Sequence, residues 1–129
     1  MARTIPIDPI LEKGYNVRLL VEDFDGLIEK WSNRSEKFRE TVDSSLDCQY
    51  GNGEKDKLDI FRCGKPNAPL FIFVHGGYWQ RGDKSVYSFV AESFVSSGID
   101  VALIGYQLCP SASMTNIVDK IREAVIWIW

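Results

Sequence analysis

A single histidine, His75, stands in the 129 residues, and no Cys-x-x-Cys accompanies it. Protein zinc sites are built from several Cys and His residues at close spacing, so this scarcity excludes an ordinary zinc centre. The three cysteines, Cys48, Cys63 and Cys109, are odd in number and far apart. That pattern predicts reduced thiols in a cytosolic protein rather than a disulfide framework. No apolar run approaches the roughly 20 residues that cross a bilayer. The opening MARTIPIDPILEKGY lacks the apolar core of a secretory signal. No membrane partner is expected. Lys and Arg number 15 against 18 Asp and Glu, a net charge of −3, which leaves no basic footprint for nucleic acid. Internal repeats and low-complexity segments are also absent.

What remains is an ordinary globular composition, 45% apolar and 26% charged, long enough for one domain with a core. One stretch organises it: Pro69–Gln80, PLFIFVHGGYWQ. Leu70 to Val74 form a short apolar run suited to a central strand covered on both faces. His75, Gly76 and Gly77 follow, then Tyr78 and Trp79. Paired glycines open backbone conformations closed to other residues and remove the Cβ atoms that would block a ligand. A turn of this kind after a parallel strand lies where open α/β sheets bind ligands.

Around this stretch the elements can be read in order. Pro6 and Pro9 bracket a helix start at Asp8, predicting a short helix over Pro9–Lys13 that stops near Gly14. Asp23 or Asp25 caps a second helix reaching Thr41, with Leu27, Ile28, Trp31 and Phe38 on its apolar stripe. Leu46–Tyr50 reads as a strand, Gly51-Asn52-Gly53 as a turn, and Lys57–Arg62 as a second strand pairing antiparallel at the sheet edge. After the glycine turn, Asp83 or Ser85 caps a helix reaching Ser97, with Val86, Phe89, Val90, Phe94 and Val95 on its apolar face and Gly98 closing it. Asp100–Tyr106 reads as a buried strand. A last helix starts near Thr115, burying Ile117, Ile121, Ala124, Val125 and Ile128. Strand, helix, strand, helix implies parallel βα units with right-handed crossovers.

These residues resemble the α/β-hydrolase family, and within it the arylformamidase branch of the esterase–lipase group. His75-Gly76-Gly77-Tyr78-Trp79 is similar to the HGG-type oxyanion motif of those enzymes, with the Tyr-Trp continuation of formamidases. The segments Tyr50–Glu54 and Lys57–Phe61 resemble the family's first strand pair. Tyr106–Pro110 resembles its Tyr-Arg-Leu-Ala-Pro segment, with Gln107 and Cys109 departing from it. The resemblance implies an α/β fold: the N-terminal part of an α/β-hydrolase sheet, with an antiparallel edge hairpin followed by parallel βα units. It implies a helical lead-in over residues 1–45 and the hydrolase portion over 46–129. It further implies an oxyanion hole formed by the amides of Gly76, Gly77 and Tyr78. Preorganised amides of this kind each contribute about 10²–10³ in rate.

The family places its triad histidine late in the chain, after nucleophile and acid. The expectation for His75 is therefore a hydrogen bond that supports its own loop, not general-base catalysis. Tyr78 and Trp79 either line an aromatic substrate pocket or pack as core, with packing the stronger reading for Trp79. No Gly-x-Ser-x-Gly elbow occurs. Ser85, Ser88, Ser93, Ser96 and Ser97 cluster in one predicted helix and read as cap and surface. The Ser/Asp/His triad is thus expected outside this chain, in a parent of about twice the length. In the family sheet the Leu70–Val74 strand lies between the Val101–Tyr106 strand and the nucleophile strand, so one of its edges is expected to be open here. The implied activity is hydrolysis of N-formylkynurenine or a related aryl formamide, without metal or cofactor. A carboxylesterase acting on short acyl esters and a non-catalytic partner-binding module are the alternatives. Partners are then an aromatic formamide or ester, with a homodimer left open.

Overall fold

The computed structural model describes residues 6–129, so residues 1–5 of the expected lead-in lie outside it. Helix α1 spans Pro9–Tyr15. The Asp8 carboxylate accepts from the amides of Ile10 at 2.8 Å and Leu11 at 3.2 Å, with Pro9 as the first helical residue. The helix runs through Gly14, past the expected stop, to an Asn16 cap whose amide donates to the Glu12 carbonyl. A 3-10 turn over Val17–Leu20 leads to α2, Phe24–Thr41. Asp23 caps α2 by accepting from Gly26, while Asp25 pairs with Arg18 at 2.8 Å.

Four strands form one sheet in the order β1-β2-β4-β3: β1 Asp43–Gln49, β2 Lys57–Arg62, β3 Leu70–Val74 and β4 Asp100–Ile104. β1 and β2 are antiparallel, with Ser44 opposite Phe61 and Gln49 opposite Lys57, and with a bulge at Leu46-Asp47. β2 continues antiparallel onto β4, and β3 lies parallel to β4 with Phe73 opposite Leu103. β1 begins three residues before the predicted start, because Asp43-Ser44-Ser45 has no apolar alternation to mark an edge strand.

The strand covered on both faces is β4, not β3. Val101, Ala102, Leu103 and Ile104 have no exposed surface, whereas Leu70 and Val74 are each 42% exposed. Parallel pairing seats β3 against β4 along one side, and its other edge has no strand beside it among the described residues. An apolar run identifies a strand but does not rank its neighbours.

The predicted helix after the turn is two elements. A 3-10 turn covers Lys84–Val90 and helix α3 covers Ala91–Ser96. Ser, Val, Tyr and Phe are modest helix formers, and the tighter winding aligns side chains three apart, such as Lys84, Tyr87 and Val90. Asp83 caps it, accepting from the Ser85 amide at 3.0 Å. Gly98, with φ of 84°, ends α3. Ile99 donates to the Phe94 carbonyl and Gly98 to that of Val95, the Schellman pattern. Ser88 is fully buried rather than on the surface, and its hydroxyl accepts from Arg39 at 2.9 Å. Helix α4 spans Met114–Ile128, capped reciprocally by Ser113 and Asn116. It buries Ile117 and Ala124, but Val125 is 41% exposed and does not join the core.

Strand alternation divides the core between two faces. Phe61, Val101, Leu103 and Ala91 pack with Phe38 of α2 and Phe94 of α3. Leu58, Ile104 and Ala124 pack with Ile72, Ile121 and Ile128 on the α4 side. Helices on both faces of a mixed sheet give an α/β architecture. No helix among the described residues is long and apolar enough to cross a membrane.

Candidate active site

β3 and β4 run parallel, so their C-terminal ends lie side by side. After Val74 the chain enters the turn His75–Gly82, and after Ile104 it enters Gly105 and Tyr106. His75 is 3% exposed. Its ring stacks with Tyr106, centroids 4.5 Å apart and planes 12° apart, and with Tyr87 at 5.8 Å and 8°. Its Nδ1 lies 2.8 Å from the Gly76 carbonyl. A carbonyl only accepts, so Nδ1 carries the proton. Burial pushes the His75 pKa below its ordinary value, against the opposing pull of that hydrogen bond. The imidazole is neutral at pH 7 and serves as a donor within its own loop.

Two glycines are demanded by the backbone. Gly77 has φ of 129°, and a Cβ there would collide with the Arg81 carbonyl. The Gly77 carbonyl accepts from both Gln80 and Arg81 at 3.1 Å, which closes the turn. Gly82 has φ of 101°, and a Cβ would strike the His75 ring and the Gly76 carbonyl. Between them, Tyr78 and Trp79 are both left-handed, with φ of 58° and 57°. Such conformations cost about 1–3 kcal/mol each for a side chain with Cβ. They persist because the turn is held from outside: Tyr106 donates its hydroxyl to the His75 carbonyl at 2.7 Å, and the Cys109 amide donates to the Trp79 carbonyl at 2.7 Å.

The amides of Gly76, Gly77 and Tyr78 donate to no partner among the described residues, and the space where a Gly76 side chain would stand is open. Free amides on a fixed turn, beside open space, can stabilise a developing oxyanion. The two aromatics part company. Tyr78 is 77% exposed and projects from the turn. Trp79 lines a groove of about 420 Å³ with His75, Tyr106 and the α4 residues Met114, Ile117 and Ile121. Trp79 is 47% exposed and joins neither core cluster, so its place is at the wall of the groove and the favoured reading of core packing is not met.

Asp83, at the exit of the turn, is partly buried, which works to raise its pKa. The Ser85 amide and hydroxyl, with Lys55, overcome that and hold its carboxyl below the ordinary value. No serine or cysteine among the described residues hydrogen-bonds to His75. No group of three or more His, Cys, Asp and Glu among them is arranged to hold a metal. Tyr106 and Cys109 lie in the segment that resembles the family's Tyr-Arg-Leu-Ala-Pro, but nothing in the sequence assigned either of them a supporting bond to the turn. The one available signal was register: a tyrosine just past β4 must lie beside whatever follows β3.

A helix-flanked sheet with a glycine turn at the C-terminal end of its parallel pair is an α/β architecture, and the solved structures it superimposes on make it an α/β-hydrolase fold. The BD-FAE family model matches residues 58–129, and the chain belongs to that family. Kynurenine formamidase from Danio rerio is 34% identical over 94 residues, covering 71% of this chain and 32% of that protein. A Silicibacter structure, described provisionally as a thioesterase, superimposes with a TM-score of 0.86 at 33% identity, over 92% of this chain and 46% of that one. Esterase B from Lactobacillus rhamnosis shares the fold at 18% identity, with a TM-score of 0.64 over 92% of this chain and 40% of its own. The chain thus spans about a third of the length of the curated formamidase it matches.

Proposed function

We propose that the protein is a hydrolase of the serine esterase/amidase type in which this chain supplies the oxyanion hole. The carrying observation is the turn itself: three amides without partners among the described residues, on a backbone held in left-handed conformations by Tyr106 and Cys109. Similarity to kynurenine formamidase supports N-formylkynurenine, or a related aryl formamide, as substrate. Attack on the formyl carbon turns its carbonyl oxygen into an oxyanion, which the amides of Gly76 and Gly77 receive, with Tyr78 as a third donor. Collapse of that intermediate breaks the C–N bond, expels the aryl amine with a proton from the catalytic acid, and leaves a formyl ester on the nucleophile, which water then cleaves to formate. Formyl is the smallest acyl group and suits the open space at Gly76. The groove beside Trp79 takes the aromatic amine. Nucleophile, base and acid come from residues outside these 129. Free thiols at Cys48, Cys63 and Cys109 suit a reducing, cytosolic compartment.

The open space at Gly76 also admits a short acyl ester, which makes carboxylesterase activity the second reading. One experiment separates them. The protein is expressed from the whole reading frame that carries this chain, treated with a fluorophosphonate, and assayed for formate release from N-formylkynurenine and for butyrate release from p-nitrophenyl butyrate. One label per chain and a higher kcat/KM for the formamide are expected. Labelling with ester hydrolysis alone selects the second reading, and absence of labelling overturns both.

A further inference from the structure

Just beyond the turn lies a buried cation that the proposed chemistry leaves unused. Lys84 opens the 3-10 turn, two residues after Gly82, and is 7% exposed. Its Nζ lies 2.7 Å from Asp47 Oδ1 on β1 and 2.7 Å from Asp59 Oδ1 on β2. Asp59 is also buried, and its Oδ1 accepts from the Asp47 amide at 2.8 Å. Asp47 sits at the β1 bulge with φ of 54°. The bulge turns the Asp47 carboxylate and amide towards one point, and Lys84 fills that point. Burial alone would depress the Lys84 pKa, but the two carboxylates hold it above its ordinary 10.5. The ammonium is therefore charged throughout the physiological range.

This cluster differs in kind from the other ion pair at the turn. Lys55 reaches Asp83 at 3.3 Å with both side chains well exposed, a geometry that contributes little. Here the Lys84–Asp59 pair is enclosed, with side chains 8% and 2% exposed, while the Asp47 side chain that reaches Lys84 is 67% exposed. Removing the Lys84 charge would strand the buried Asp59 carboxylate without its cation. The mechanical path to the turn is short. Gly82 lies against the His75 ring and the Gly76 carbonyl with no room for a Cβ, and only Asp83 separates it from Lys84. Displacing Lys84 therefore displaces the surface on which Gly76 rests.

We propose that Lys84 is a positioning residue for the oxyanion turn. Clamped between Asp47 and Asp59, it fixes Gly82 against His75 and thereby sets the direction of the Gly76 and Gly77 amides. This rests on the reading of the turn as an oxyanion hole. Small misplacements of such donors lower turnover by about 10- to 100-fold without a matching loss of binding.

The test uses the protein expressed from the whole reading frame. Lys84→Met keeps the length of the side chain and removes its charge. The triple variant Lys84→Met, Asp47→Asn, Asp59→Asn removes the cluster without leaving a buried unpaired carboxylate. In a folded variant, kcat falls by about 10- to 100-fold with KM unchanged, the Gly76 and Gly77 amide resonances move, and Lys84→Arg restores part of the loss. A folded variant with wild-type kcat and unmoved resonances overturns the proposal, as does a change carried by KM alone. Should neither variant fold, Asp47→Gly decides: it suits the positive φ, keeps the buried Lys84–Asp59 pair and removes one arm of the clamp, so native turnover and native resonances in it overturn the proposal. If the wild-type protein takes no fluorophosphonate, the functional reading fails separately, and the two glycine resonances still report whether Lys84 positions the turn.

Discussion

β3 and β4 are parallel neighbours of five residues each, and they live in different surroundings. β4 has a strand on either side, and Val101 to Ile104 are wholly buried. β3 has one strand partner among the described residues, and both of its terminal residues are substantially exposed. The strained turn follows β3, the less supported of the two. Its restraints come from the other side: Tyr106 lies just past β4, and Cys109 lies in the loop beyond. One strand supplies rigidity and its neighbour presents the backbone proposed as the oxyanion hole.

The largest expected effect tests the stabilising half of this division. Leu103→Ala, in a fully buried position, should cost about 4 kcal/mol in urea unfolding, while Ile72→Ala on half-buried β3 should cost about half as much. Equal costs would break the comparison. Next comes the chemical half. Gly77→Ala places a Cβ against the Arg81 carbonyl and should lower kcat by about 10²–10³, whereas Leu103→Ala leaves kcat per folded molecule unchanged. A Gly77→Ala enzyme of normal turnover would detach the turn from catalysis.

The smallest effect is a pH dependence that sharpens the role of His75. Its folded pKa lies below the ordinary 6.5 because it is buried. Below pH 6.5 the unfolded chain takes up a proton that the folded turn refuses, so stability falls as pH drops towards the folded pKa and is level above 6.5. Asp47 and Asp83 have depressed values and contribute stability that is lost only below their ordinary 3.8, so the two windows separate. Urea midpoints measured at intervals from pH 8 to pH 5 should decline in the wild type, and His75→Gln should flatten the decline.

Local signals carried much of the fold. Asp8 with Pro9, Asp23 before α2, and Gly98 after α3 each act through atoms a few residues away, and each does what its chemistry dictates. β2, β3 and β4 announce themselves by apolar content. Neighbour order is different: nothing inside Leu70–Val74 distinguishes an edge strand from a central one, and the resemblance to hydrolases supplied that placement. β1 was half hidden because Asp43-Ser44-Ser45 is polar. The 3-10 turn at Lys84–Val90 has the apolar pattern of an α-helix, because side-chain period alone barely separates three residues per turn from 3.6. At the site, the glycines were legible because positive φ is written into residue type. The bonds from Tyr106 to the His75 carbonyl, across 31 residues of sequence, and from Lys84 to Asp47, across 37, were not.

Tyr78 carries an implication for directed evolution. An exposed aromatic in the left-handed region is a burden to the folded state, and glycine or asparagine would sit there with less strain. A library selected for heat resistance alone should therefore discard Tyr78 early. One selected for turnover should keep it, and the divergence of the two populations at this single codon would measure how far the demands of the catalyst depart from those of the fold.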